Sequence, residues 1–134
     1  MREIKFRGKD LETGDWVYGD LEIHRKDSRR LIHSYDEKGD YSRQYDVDEE
    51  TIGQFTGDCD KNGKDIYEGD ILKAYFCGTS DVFGVVRYAE SRFFVDDDYR
   101  RDEITAKSPL SAISKCIEFE VIGNIFDNPE LLKQ

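Results

Sequence analysis

The sequence predicts a mainly β protein made of short strands and tight turns. The strongest indication is the pair Asn62-Gly63 between polar residues, because both central positions of a type I′ hairpin turn need a positive φ angle. A second turn signal, Gly69-Asp70, follows at once and leads into a segment of alternating apolar and polar residues. This order of turn, short segment, turn and strand is typical of a small closed β-barrel rather than of a helical domain.

Alternation of apolar and polar residues also predicts strands in the amino-terminal third of the chain. In residues 16–24, Val17 and Leu21 fall on one face, whereas Tyr18 and Glu22 fall on the other. In order, the predicted elements are a strand at residues 3–7, a turn at 12–15, a strand at 16–24, its hairpin partner at 30–35, a turn at 36–40 and a polar segment at 41–50 without a clear pattern.

The second part of the chain is predicted to contain five short strands and two helical turns. The strands are expected at residues 51–56, 70–76, 82–88, 92–95 and 117–121. Ser108-Pro109 and Asn128-Pro129 each predict a short helical turn, since Ser and Asn cap helices and Pro is tolerated at the first helical position. The residues predicted to be buried are Phe55, Ile71, Val85, Phe94, Phe119 and Ile122.

Three segments, in this order and spacing, resemble the YopX family of phage and prophage proteins. They are TIGQFTG at residues 51–57, IYEGDIL at 66–72 and VIGNIFDNPELL at 121–132, whereas 25–48 and 96–112 contain no matching motif. The resemblance implies an SH3-type barrel and a family without an established biochemical activity. With the strand pattern, it predicts an amino-terminal strand and β-hairpin subdomain at 1–50 and an SH3-like β-barrel at 51–134, together one YopX-like unit.

Composition limits the classes of partner. The 134 residues carry a formal charge of −10, which argues against unassisted binding to duplex phosphate and favours solubility and a basic partner. The three cysteines form no C-x-x-C pair and no leader opens the chain, so we expect a protein of the reducing bacterial cytoplasm. No apolar run approaches the roughly 20 residues that span a bilayer, and no membrane association is predicted.

One turn resembles half of a calcium site. The positions that match the start of an EF-hand loop are Asp58, Asp60, Asn62 and Gly63. The twelfth position of that loop needs a bidentate Glu, but it is occupied here by Gly69, and Glu68 arrives one residue early. We therefore interpret the segment as a plain hairpin turn and expect no metal and no cofactor.

Other polar clusters give no catalytic or metal-binding set. Asp96, Asp97 and Asp98 would point to alternate faces of a strand, and we interpret them as a solvated loop. His24 and His33 are interpreted as exposed strand residues that lie far in sequence from Cys77 and Cys116. Each cysteine, including Cys59, is interpreted as a small core residue, and no catalytic residue is predicted.

The principal basic cluster is a possible binding patch. It consists of Arg25, Lys26, Arg29 and Arg30, with a smaller pair at Arg100 and Arg101. Tyr35, Tyr41 and Tyr45 lie close by in sequence and would permit single-strand stacking, but acidic residues border each patch. Contacts between subunits, or with a host or phage protein, suit the acidic chain better than nucleic acid.

The sequence favours a non-enzymatic, phage-derived binding or assembly module. One alternative is an accessory factor in phage or host nucleic-acid transactions, and another is an enzyme whose site is assembled from scattered residues. We also expect a homo-oligomer, because the runs at residues 82–86 and 16–23 would need cover if they lay at sheet edges.

Overall fold

The chain is mainly β, as the sequence predicts. The computed structural model describes residues 2–75, 82–89, 91–96, 107–109 and 118–132. These residues form antiparallel strands and two short 3₁₀ turns, at Glu49–Thr51 and Pro129–Leu132. Two compact units result, Met1–Phe55 and Thr56–Gln134. No helix among the described residues is long and apolar enough to cross a membrane.

The first unit is an antiparallel sheet in the order β4-β3-β2-β1-β5. Its strands are β1 Phe6–Lys9, β2 Trp16–Ile23, β3 Arg30–Tyr35, β4 Tyr41–Asp46 and the first residues of β5 Gly53–Cys59. Val17, Ile32 and Val47 form its core, and Phe6 and Leu21 are among the side chains packed against them. The predicted alternation of β2 is confirmed, because Val17 is buried and Tyr18 is exposed.

The second unit contains the end of β5 and a sheet in the order β10-β9-β8-β7-β11. Its further strands are β6 Asp65–Tyr67, β7 Asp70–Tyr75, β8 Val82–Ala89, β9 Arg92–Asp96, β10 Lys107–Pro109 and β11 Glu118–Asn124. The core of this unit consists of Ile66, Leu72, Val86, Val95 and Phe119. Among the described strands, β10 and β11 are not paired with each other, so these strands form an open sheet and not a closed barrel.

Each of the two predicted turns within residues 60–72 contains a glycine with positive φ, but Asn62 does not share this backbone, so the expected type I′ geometry is wrong for the first turn. Gly63 has φ of 81° and Gly69 has φ of 88°, a region that side chains with a Cβ rarely adopt. At the second turn, Asp70 is buried and its Oδ2 accepts the Tyr67 N–H at 2.8 Å. Gly69 and Asp70 of the IYEGDIL motif therefore both contribute to this turn.

Two local predictions are wrong. Ser108 and Pro109 lie in β10 rather than at the start of a helix, and the predicted helical residues 110–115 lie outside the described residues. Pro109 is compatible with β10 because this strand is at the end of the sheet order, where a missing N–H is tolerated. Ile122 is half-buried rather than buried, since the register of β11 shifts between Val121 and Gly123. The other five predicted core residues are buried.

The two runs that were expected to need cover are interior strands. The run at 16–23 is β2, which pairs with β1 and β3, and the run at 82–86 lies in β8, which pairs with β7 and β9. Val85 and Val86 are almost completely buried within the chain. The argument for self-association from these two runs therefore fails.

The difference between Phe119 and Ile122 can be measured. Phe119 is 4% exposed in the core of the second unit, so Phe119→Ala should lower the free energy of unfolding by about 3–5 kcal/mol. Ile122→Ala should cost clearly less, because this side chain lies half-buried at the register shift. Urea unfolding of the two variants measures the difference, and equal losses would show that the faces of β11 are assigned wrongly.

Candidate functional site

The predicted basic patch occupies the loop between β2 and β3. The loop is closed by backbone bonds from His24 N–H to Arg29 O and from Ser28 N–H to His24 O, both 2.8 Å. Ser28 has φ of 61°, an uncommon backbone for a residue other than glycine. The hairpin thus places Arg25 and Lys26 in the loop, while Arg29 and Arg30 stand at the start of β3.

Acidic neighbours neutralise half of this patch. Arg29 Nε lies 2.8 Å from Asp27 Oδ2, and Arg30 Nη2 lies 3.0 Å from Glu49 Oε1. The backbone N–H of Arg29, bonded to Asp27, is the main cause that lowers the pKa of this carboxyl. In the described part of the chain, Arg25 and Lys26 are exposed and make no ion pair. The patch therefore presents less free positive charge than its sequence suggests.

A mixed groove lies beside these ion pairs. It is lined by Leu11, Glu12, Asp27, Ser28, Arg29, Arg30, Asp46, Val47 and Glu49. Leu11 is 65% exposed at its rim, whereas Val47 belongs to the core beneath it. Four of the lining residues are acidic and two are arginines that already face carboxylates, so the groove carries an excess of negative charge and offers no free cation to an anion.

The outer face of β2, β3 and β4 presents a group of rings and carboxylates that we call the tyrosine face. Its members are Tyr18, Asp20 and Glu22 on β2, His33 and Tyr35 on β3, and Tyr41 on β4. The strand register sets Asp20 opposite His33 and Tyr35 opposite Tyr41. Tyr18, Tyr35 and Tyr41 are 48%, 48% and 56% exposed, which leaves a large aromatic area in solvent.

The rings of this face stand at angles to one another. The Tyr35 and Tyr41 centroids lie 6.1 Å apart with planes at 79°, and the His33 centroid lies 6.0 Å from that of Tyr41 with planes at 44°. Edge-to-face rings at these separations attract each other through their quadrupoles. The three rings therefore form an ordered corner on the sheet surface rather than a stack.

Two carboxylates of β2 interact with the rings of His33 and Tyr35. Glu22 Oε1 lies 3.0 Å from His33 Nε2. The Tyr35 hydroxyl donates a hydrogen bond to Asp20, and this bond, followed by the repulsion between the two negative charges, raises the pKa of Tyr35. Each of the two carboxylates thus interacts with one ring of β3.

Asp60, the central residue of the calcium-like segment, is bonded to backbone N–H groups. Its Oδ1 accepts from Asn62 N and Lys64 N at 2.9 Å each, and its Oδ2 accepts from Val121 N at 2.9 Å. Burial by itself would raise the pKa of Asp60, but the bonds from Val121, Lys64 and Asn62 outweigh it and lower the pKa. This carboxylate thus closes the hairpin turn and ties it to β11.

The remaining sequence candidates are placed as follows. Asp96 is 2% exposed in β9 and its Oδ2 lies 3.0 Å from Arg87 Nε, so the prediction of a solvated loop is wrong for this residue. Asp97 and Asp98 lie outside the described residues. Cys59 is exposed, which contradicts its predicted place in the core.

The two histidines lie at different places in the first unit. His33 is on the tyrosine face, and His24 Nδ1 lies 2.9 Å from Asp27 Oδ1 in the β2–β3 loop. Cys77, Cys116, Arg100 and Arg101 lie outside the described residues. In the sequence, Tyr35 and Tyr41 stand out only as neighbours of the basic patch. Their cross-strand position depends on the register of β3 and β4, which the irregular 41–50 segment did not reveal.

The comparison with protein families decides the relationship that the motifs suggested. The model of the family described as YopX protein matches residues 5–133. The chain belongs to the YopX family. Among solved structures, the YopX chain is similar to protein EF1440 from Enterococcus faecalis, with 26% sequence identity and a TM-score of 0.61. The similarity covers 98% of this chain and 99% of that chain. No curated protein matches the chain.

The motifs shared with the family surround structural turns in this YopX protein. In the carboxy-terminal motif, a Cβ on Gly123 would lie 2.5 Å from Asn128 Oδ1, so any other residue would displace the Asn128 side chain. Asn128 Oδ1 accepts the Asn124 N–H at 3.2 Å, and Asn124 Oδ1 accepts the N–H groups of Phe126 and Asp127 at 3.0 and 2.9 Å. Gly123, Asn124 and Asn128 thus each have a structural role in this turn.

The role of Asp60 predicts a strong and pH-dependent effect. Asp60→Ala should lower the free energy of unfolding by about 2–4 kcal/mol at neutral pH, because three backbone donors lose their acceptor. The nearby Asp58→Ala should change it by no more than about 0.5 kcal/mol. Denaturant unfolding of both variants measures this difference.

The dependence of the free energy of unfolding on acidic pH is the second test of the role of Asp60. Because the pKa of Asp60 is lower in the folded chain than in the unfolded chain, the ionised carboxylate stabilises the fold at pH values above the ordinary aspartate pKa. This stabilisation is lost as the pH falls through the lowered pKa. The stability gap between the native chain and Asp60→Ala should therefore narrow on acidification. A gap that stays constant down to strongly acidic pH would contradict the charged role of Asp60.

Proposed function

We propose that this YopX protein is a phage-derived, non-enzymatic binding or assembly module that acts on other protein molecules in the bacterial cytoplasm. The observation that carries the proposal is the tyrosine face, where three rings about half exposed to solvent stand on a hydrogen-bonded sheet. Tyrosines combine a large apolar area with a polar end, and they are enriched where proteins bind each other. Rings fixed on strands also lose little conformational freedom on binding.

Binding is favoured over catalysis by what the polar groups do. Asp60, Asp70 and Asn124 accept hydrogen bonds from nearby backbone N–H groups, which explains them as parts of turns. The Glu22–His33 pair is the arrangement nearest to a general base, but within the described residues no serine or cysteine side chain is hydrogen-bonded to it. A pocket beside the pair is lined by Glu22, His24 and the exposed Arg25 and Lys26, whereas His33 does not line it.

The nucleic-acid alternative is supported less well. Binding to phosphates needs several unpaired cations that act together. Arg29 and Arg30 face Asp27 and Glu49 instead, and the whole chain has a formal charge of −10. The exposed pair that remains, Arg25 and Lys26, would neutralise too few phosphates for unassisted binding.

The SH3-like architecture predicted for residues 51–134 is part of the proposal. In the order β10-β9-β8-β7-β11, the strand that comes last in the sequence, β11, lies beside the first, β7. The second, third and fourth strands, β8, β9 and β10, follow on the other side of β7. This is the strand order of SH3-like barrels. Small barrels of this kind serve as binding modules, in agreement with the proposed role.

We also propose that the module is a homo-oligomer, with β4 rather than β2 or β8 as the contact strand. In the described part of the chain, β4 stands at the end of its sheet order, and its outer side is contacted near its last residue, where Asp46 O accepts the Leu11 N–H at 2.9 Å. An edge strand offers unpaired N–H and C=O groups to another chain. Four of its six residues are uncharged, with Arg43 and Asp46 as the exceptions, so charge does little to block pairing.

Sedimentation velocity tests the assembly proposal. The native chain, of 15.6 kDa, should sediment at a multiple of this mass at low micromolar concentration. Gln44→Lys puts a charge on β4 and should shift the distribution towards the monomer. Asn62→Lys adds the same charge at the exposed β5–β6 turn and should leave the distribution unchanged. A monomeric native chain, or equal effects of both variants, would contradict assembly through β4.

A further inference from the structure

We propose that the tyrosine face binds arginine side chains of a basic segment in a partner protein. The inference rests on the proposed binding function and names the chemistry that the partner must present. Tyr35, Tyr41 and His33 supply ring faces, while Asp20 and Glu22 supply carboxylates on the adjacent strand. Rings combined with carboxylates attract a planar cation that can lie on a ring and donate hydrogen bonds to an acid.

The arrangement of the rings suits one such cation. Because the planes of Tyr35 and Tyr41 meet at 79°, a guanidinium can lie flat on one ring while the edge of the other limits its sideways movement. The ring of His33 closes a further side, at 6.0 Å from Tyr41. Both tyrosines are about half exposed, so a side chain can reach them without opening the sheet.

The charge of the surroundings favours a cation over an anion. Asp36, Glu37 and Asp40 lie in the exposed turn that connects the two tyrosine-bearing strands, against the single cation Lys38. The cation of β4, Arg43, interacts with a different ring, since its guanidinium carbon lies 4.9 Å from the ring centroid of Tyr45. Tyr45 packs on the core. The face therefore combines exposed rings with an excess of negative charge, which complements an arginine-containing segment.

The carboxylates of Asp20 and Glu22 can still accept hydrogen bonds from a bound guanidinium group. A carboxylate has two oxygens with about four acceptor positions. One oxygen of Glu22 lies 3.0 Å from His33 Nε2, and Asp20 stands directly opposite His33 in the strand register, beside Tyr35. These contacts orient the two carboxylates on the outer face, so that a guanidinium meets preformed acceptors rather than mobile side chains.

The test is an NMR titration of the full chain with two peptides. The probe is acetyl-Gly-Arg-Gly-Arg-Gly-amide, and its control is the same peptide with citrulline, which keeps the shape but has no charge. We expect saturable shifts at the amides of Asp20, Glu22, His33, Tyr35 and Tyr41 with the arginine peptide, and affinity for the citrulline peptide lower by about tenfold or more. Equal affinity for the two peptides, or no binding of either, would overturn the inference.

Matched variants separate this site from general attraction to an acidic protein. Asp20→Asn with Glu22→Gln should weaken arginine-peptide binding about tenfold, whereas Glu12→Gln with Glu50→Gln, which removes the same charge elsewhere, should leave it within about twofold. Tyr41→Ser, at a side chain 56% exposed, should weaken binding while the spectrum of the folded chain is retained. Equal weakening by both double variants would overturn the inference.

The outcomes also distinguish this inference from the proposed function. A chain that sediments as an oligomer but discriminates poorly between the two peptides would retain the assembly role and lose the arginine site. A monomeric chain that binds the arginine peptide at these amides would keep the site and lose self-assembly. Binding of oligothymidylate at the same amides, in place of the arginine peptide, would overturn the inference in favour of nucleic acid.

Discussion

One buried carboxylate connects the main parts of the second unit. Asp60 accepts the two N–H groups that close the β5–β6 turn with one oxygen and the Val121 N–H of β11 with the other. The Lys61 N–H donates to Phe119 O at 2.9 Å and strengthens the same connection. Phe119 belongs to the core of this unit, so the turn, the last strand and the packed interior are stabilised together. A neutral side chain at position 60 has fewer acceptor positions than a carboxylate and could not accept all three bonds.

The same carboxylate explains why the segment looks like a calcium loop. A calcium loop and an Asx-type turn both need an aspartate whose oxygens face inward and a glycine at the bend. In this chain the backbone amides occupy the acceptor positions of Asp60, and Gly63 supplies the bend with φ of 81°. Sequence similarity to the metal loop therefore arises from shared turn geometry.

The sequence predicted features that depend on local chemistry. Alternation located β2, positive-φ glycines located the turns at Gly63 and Gly69, and the motifs located the family. Features that depend on distant partners were missed. Ile122 is half-buried because a register shift in β11 moves it out of alternation, and a shift of this kind leaves no local signal. Ser108-Pro109 has the composition of a helix start but pairs with β9.

The candidate site shows the same limit. The sequence drew attention to four basic residues, yet two of these face carboxylates, and one of these acids, Glu49, is 19 positions away from Arg30. The tyrosine face was not predicted, because Tyr35 and Tyr41 become neighbours only when β3 and β4 pair with an irregular register. Tight turns stabilise the scaffold, and the exposed rings of the tyrosine face are its most distinctive surface. This division agrees with the proposed role as a binding module.

The most direct measurement follows the Asp60 carboxylate itself by NMR during an acid titration. The side-chain carboxyl carbon of Asp60 and the amides of Asn62, Lys64 and Val121 should titrate with one common midpoint below 3.8, the ordinary pKa of an aspartate. A shared, lowered midpoint would show that one charged group holds all three donors in the folded chain. A midpoint at or above the ordinary value, or a Val121 amide that does not follow the carboxyl carbon, would contradict the role assigned to Asp60.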